Sequence, residues 1–184
     1  MPHDLPACRC VICHDYGDRD EADHTDLRTI EQVRDHGWSV VMVPADAEGP
    51  GFAYTIGLWH THRVPELAVF GLDIGTMRVL LNTLGRQAAA GTVLEPGREY
   101  EEVVEGRPVA LRTADLRWYR EFFGGAIAFH RRPPFPVLQV VWPDAEGRFL
   151  WQVGTAESYG RSQPRLWLRP AEHPEGVWSA LVTG

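Results

Sequence analysis

The sequence predicts an α+β fold: a single domain whose mainly antiparallel sheet is flanked by two or three helices. Three observations carry this expectation. Short β-branched runs of strand length recur along the chain, few segments show helical periodicity, and turn signals such as "DAEGPG" separate successive runs. A chain of 184 residues suits one domain with a substantial buried core.

Residues 1–23 read as an irregular, acidic arm that carries every cysteine, and residues 24–184 as the domain itself. "TDLRTIEQVRDHG" is the first helix. Thr25 or Asp26 can cap its free amides, Leu27, Ile30 and Val33 share a face, and Gly37 supplies a left-handed stop. "WSVVMVPA" follows as a strand, "FAYTIGL" as a second, and "ELAVFGL" as a third after the loop "WHTHRVP". In "IGTMRVLLNTLGRQAAAG", Ile74, Met77, Leu80, Leu81 and Leu84 recur at helical spacing, and the helix ends near Gly91.

"EYEEVVEGRPVALRT" predicts a hairpin about Glu105-Gly106, because glycine takes positive φ without steric cost. A short helix in "ADLRWYREFFG" turns Leu116, Tyr119, Phe122 and Phe123 inward. "FPVLQVVWPD" and "GRFLWQV" pair as a hairpin around "DAEG". From Glu157 onward the Pro-, Gly-, Ser- and Trp-rich tail is an ordered wrap rather than a helix, since Trp167 and Trp178 require cover.

Composition removes several function classes. All 18 basic residues are arginine, so Schiff-base chemistry, covalent pyridoxal phosphate and a P-loop lysine are excluded. The net charge of −7 argues against general affinity for nucleic acid, and the two arginines of "FHRRPPFP" do not make a basic groove. No apolar run approaches the roughly 20 residues of a membrane span. "MPHDLPACRC" has neither a positive n-region nor an apolar h-region, so the expected location is the cytoplasm, where thiols stay reduced. The hydrolase motif G-x-S-x-G, the zinc motif H-E-x-x-H and the dinucleotide motif G-x-G-x-x-G are all absent.

Two clusters carry possible chemistry. In "CRCVICH", Cys10-x-x-Cys13-His14 spells a haem-attachment motif, but haem attachment calls for an exported protein and a distant axial ligand. Cys8, Cys10 and Cys13 could instead supply three thiolates to zinc, with His14, His60 or His62 as the fourth ligand. A redox dithiol would need a strand–helix context that is missing here. The sequence by itself leaves the set one ligand short, and the expectation is three free thiols joined by no histidine.

The second cluster is "YTIGLWHTHRVPEL", where Tyr54, Thr55, Gly57, His60 and Glu66 gather at a strand end and its loop, the usual place for binding groups. Its bland alternative is a bonded core tyrosine and a glutamate that caps backbone. Gln139 and Asn82, the one asparagine, interrupt apolar runs and suggest a shared polar cavity or loop buttresses.

In order along the chain, Cys10 and Cys13, His36-Gly37-Trp38, Tyr54 to Leu58, Pro65-Glu66-Leu67, Leu80-Leu81-Asn82, Gln139, Trp142 and Asp144 resemble the bacterial DUF4262 family, a domain of unknown function. The chain departs from that pattern at Cys13-His14-Asp15, where the acidic and imidazole positions are swapped, and at Val64. The resemblance implies architecture and prominent positions rather than an activity, and it adds Trp142 and Asp144 to the candidate ligand-binding residues. The expected role is a binding or accessory module for a small molecule or protein. The alternatives are a zinc- or iron-dependent enzyme using the cysteine arm and loop histidines, and an immunity or interaction protein docking through Trp59 and Trp167.

Overall fold

The computed structural model describes residues 7–104, 106–131 and 135–181. Six strands form one mixed sheet: β1 (Ser39–Val43), β2 (Phe52–Ile56), β3 (Glu66–Phe70), β4 (Glu99–Val104), β5 (Arg107–Thr113) and β6 (Val137–Val141), in the order β1-β2-β3-β6-β5-β4. Only β3 and β6 run parallel, with Leu67 opposite Leu138 and Ala68 opposite Gln139. The α+β expectation with a mainly antiparallel sheet therefore holds.

The helices are α1 (His24–His36), α2 (Leu58–His62), α3 (Ile74–Ala89), α4 (Tyr119–Phe122), α5 (Gly124–His130), α6 (Glu157–Ser162) and α7 (Val177–Ala180). Strand alternation divides them between two faces. Leu67, Val69, Leu138 and Val140 meet Met77, Leu80, Leu81 and Leu84 of α3 on one face. Ala68, Phe70 and Val137 meet α4, α5, Cys10 of the arm and Trp178 of the tail on the other. Each buried Val, Leu, Met or Phe among them contributes about 1.5–3 kcal/mol by leaving water.

Helix α1 is capped by Asp23, whose carboxylate accepts from the Asp26 amide at 2.8 Å; Thr25 and Asp26 lie inside the first turn rather than at the cap. Gly37 ends the helix at φ 90° as expected, but Leu27 is exposed and Val33 alone is fully buried. The β4–β5 hairpin forms with Gly106 at φ 72°; Glu105 lies outside the described residues, as do 132–134 of the arginine-proline segment.

Three expectations are corrected, and one helix is added. "WHTHRVP" is no simple loop, because α2 occupies its first half. Leu116 points outward from a 3-10 turn (Leu116–Trp118), and Trp118 takes the inward position. Helix α5 follows α4 directly, in a stretch for which the sequence reading gave no element. "GRFLWQV" does not pair with β6. Asp144 accepts from the Glu146 and Arg148 amides, at 3.0 and 2.8 Å, and closes a tight turn after which Phe149 and Leu150 pack on Ala110 and Val141 without joining the sheet. The tail is an ordered wrap as expected, interrupted by the short helices α6 and α7, with Trp178 buried.

Candidate metal centre

Glu66 begins β3 and turns its side chain beneath the start of α2. Its carboxylate accepts from the Thr55 hydroxyl at 2.7 Å and from the Gly57, Leu58 and Trp59 amides at 2.8, 3.3 and 3.1 Å. These are the amides that a helix start leaves without intrahelical partners, and a negative charge suits that end. His130 Nε2 completes the shell at 2.9 Å. Gly57 makes the turn into α2 at φ 112°, packed so closely on α1 that a Cβ there would lie 2.7 Å from Val33 Cγ2. Together these contacts fix α2, and with it the direction of His60.

The arm meets that helix from the other side. Residues 10–14 form a tight turn in which the Cys13 and His14 amides both donate to Cys10 O, at 3.1 and 3.0 Å. The Val11 amide donates to Phe129 O at 3.0 Å, and Arg131 of the α5 end pairs with Asp18 at 2.6 Å. Cys10 is wholly buried, Cys8 partly so, and Cys13 sits at the surface.

His60 Nδ1 stands 3.5, 3.2 and 3.5 Å from the Sγ atoms of Cys8, Cys10 and Cys13. All four donor atoms lie within 4.8 Å of one another. The expectation that no histidine joins the thiols is thus overturned, because a short helix aims one at them. Hydrogen bonding alone does not use this arrangement, since one neutral ring nitrogen offers a single lone pair to three S–H groups. A tetrahedral zinc with Zn–S of about 2.3 Å and Zn–N of about 2.0–2.1 Å would hold N and S about 3.5 Å apart. The residues present fit such an ion.

Burial sets the proton state of the set. It pushes the Cys10 thiol up to about 12 and raises Cys13, where the neighbouring Cys8 adds to it. Burial also lowers His60 below the usual imidazole value, helped by His130 and Arg63. Without a metal, Cys10 and Cys13 are therefore held as thiols and His60 as a neutral imidazole, whose Nδ1 is ready to donate to a cation. Binding an ion there releases thiol protons.

The other proposed ligands stay out. His14 is exposed and stacks edge-on to Tyr16, with ring centres 4.7 Å apart. His62 lies across α2 from His60, its ring 6.1 Å from Trp38, because positions two apart on a helix face about 200° apart.

The pocket candidates separate. Thr55, Gly57 and Glu66 are engaged in the buried network, with Thr55 Oγ1 also accepting from the Leu67 amide at 2.9 Å. Tyr54 instead lines a cavity of about 480 Å³ with Ile30, Ile56, Gly125 and Phe129, between α1, α5 and the arm. Asn82 accepts from Trp38 Nε1 at 3.0 Å on the α3 face. Gln139 is on the opposite face, donating to Pro164 O at 2.6 Å and accepting from the Leu166 amide at 3.0 Å. The two side chains therefore serve separate partners on opposite sides of the sheet. Trp142 donates its indole N–H to Phe70 O at 2.8 Å, and Asp144 holds its own turn. Trp59 and Trp167 are half-buried, the latter against Trp151. His130 was not singled out in the sequence, although a buried glutamate demands a donor and "IAFH" places one at the end of an apolar stretch.

The family profile for the domain of unknown function DUF4262 matches residues 32–156, well over half of the chain. The protein belongs to this family. No curated protein and no solved structure gives a significant match. Within the DUF4262 match lie His60 and the Glu66 network, whereas the three cysteines precede it. Among the described residues of this DUF4262 protein, no helix is long and apolar enough to cross a membrane.

Proposed function

We propose that this DUF4262 protein is a zinc-stapled binding module, in which Cys8, Cys10, Cys13 and His60 hold a structural ion that fastens the N-terminal arm to the sheet. One observation carries the reading: four protein donors converge within 4.8 Å. Catalytic zinc keeps one position for water or substrate, whereas four protein ligands close the coordination shell. The ion's work is then mechanical. It ties Cys8 to Cys13 onto α2, so that the arm walls the cavity lined by Tyr54 and Phe129. A reducing compartment such as the cytoplasm keeps the three thiols available for the ion.

Elemental analysis of untagged protein, purified without chelator, tests this directly. One zinc per chain is expected, lost in a Cys10→Ser, Cys13→Ser double variant and in His60→Ala. Cobalt exchanged into the site should give the intense visible bands of a tetrahedral sulfur-rich centre. A protein that is metal-free and takes up no stoichiometric zinc on titration overturns the proposal.

A further inference from the structure

Strand β1 is an edge of the sheet, with β2 as its one neighbour. An edge strand in an antiparallel pair turns alternate N–H and C=O groups away from its partner. Among the described residues, no backbone group of 39–43 bonds outside the β1–β2 ladder. Helices α1 and α3 rise on either side of this edge, for Val41 belongs to the α1 face and Val40 to the α3 face. The result is a cleft of about 720 Å³ whose floor is the open strand.

The lining is strongly one-sided in charge. Arg28 and His36 come from α1 and Arg78 and Arg86 from α3, and among the described residues no aspartate or glutamate lines the cleft. Arg28 and Arg78 form no salt bridge among the described residues. In a chain of net charge −7, three arginines gathered without a carboxylate create a local field opposite to that of the whole molecule. Gln32 and Asn82 add hydrogen-bonding side chains on the two walls.

We propose that this cleft binds an extended acidic peptide segment of another protein by adding it as a seventh strand beside β1. Main-chain pairing with β1 gives the affinity, and alternate side chains of the guest point toward α1 and α3, where arginines receive carboxylates. Five residues of β1 span about 17 Å, enough to pair with a guest of similar length. A small anion would use the arginines but leave the strand edge unused, and nucleic acid would find too small a basic footprint on an acidic chain. The proposal rests on the chain being a binding module, but it does not involve the metal.

A phage library of random linear peptides, panned on the full chain with its zinc content measured on the same sample, tests it. Enriched peptides should carry several Asp or Glu and no internal Pro. They should shift the NMR amide signals of residues 39–43, and bind at least about tenfold more weakly to an Arg28→Glu, Arg78→Glu variant. N-methylation of alternate amides in a selected peptide should abolish binding while keeping its charge. Enrichment of neutral or basic peptides, absence of enrichment, undiminished binding after N-methylation, or preferential binding of ATP or a single-stranded oligonucleotide would each overturn it. Failure here with one zinc per chain leaves the metal reading standing, and the converse also holds.

Discussion

His130 Nε2 lies 2.9 Å from Glu66 Oε1, and both side chains are almost wholly buried. The carboxylate already accepts from Thr55 and three backbone amides, so the imidazole is the donor in this contact. This pair, one residue from β3 and one from α5, holds the helix that aims His60 at the cysteines.

Replacing Glu66 with Gln should therefore harm both the fold and the metal centre. Either placement of the amide turns an N–H₂ group toward a donor. Loss of about 3 kcal/mol in denaturant unfolding is expected. Zinc affinity, read by competition with a chromogenic chelator, should fall by about tenfold or more, as for groups that orient metal ligands. Wild-type stability with unchanged affinity would show that the carboxylate does not position α2.

Metal removal should free the arm before it unfolds the sheet. Beyond the cluster, residues 7–18 are held by packing of Val11 and Ile12 on the core, the Val11 amide on Phe129, and Arg131 against Asp18 and the Tyr16 ring, mostly weak or partly exposed contacts. Chelation is expected to speed tryptic cleavage after Arg9 and Arg19, whose side chains are already exposed, by freeing their backbone, while the six-stranded core survives. If free zinc stands at about 1,000 times Kd, the stabilisation lost is about 4 kcal/mol, visible as a lower Tm. Equal cleavage with and without chelator would count against an ion at this position.

Gln139→Leu separates a tail anchor from a pocket residue. Leucine keeps the volume but abandons Pro164 O and the Leu166 amide, two buried backbone groups. A destabilisation of about 1–3 kcal/mol is expected, with hydrogen exchange faster around residues 163–168 than in β6. A neutral result would mean that the tail docks without this amide.

His173 should make tail docking sensitive to acid. Its Nε2 accepts the Arg165 amide at 2.9 Å, which requires an unprotonated nitrogen, and its ring packs edge-on to Trp118. Burial lowers its pKa below the ordinary 6.5, with Arg165 adding to the effect. The unfolded state then binds the proton more readily, so stability is full above about pH 6.5 and declines as pH falls from there through the lowered folded value. His173→Gln should flatten this part of the stability–pH curve, followed by tryptophan fluorescence; an unchanged curve would assign the acid sensitivity elsewhere.

Much of the fold was legible because local patterns matched global roles. Leu80, Leu81 and Leu84 repeat at helical spacing and are buried under the sheet, and Gly37 and Gly106 take the positive φ that their turns require. Where a side chain replaced the expected backbone partner, local reading failed. Asp144 draws the chain into a turn and cancels a hairpin, and the Glu66 carboxylate supports a five-residue helix too short to show periodicity.

The sequence by itself determined the α+β class, the absence of lysine chemistry and the three thiols of one short stretch. Tertiary structure alone decided what those thiols face. His60 follows Cys10 by 50 residues, and its approach depends on Glu66, Gly57 and His130 acting from three separate elements. Such a convergence leaves no periodic trace, because each contact is made through space by residues whose spacing along the chain is unconstrained. The basic cleft beside β1 has the same origin: its arginines are dispersed along two helices, and only the sheet edge between them makes them neighbours.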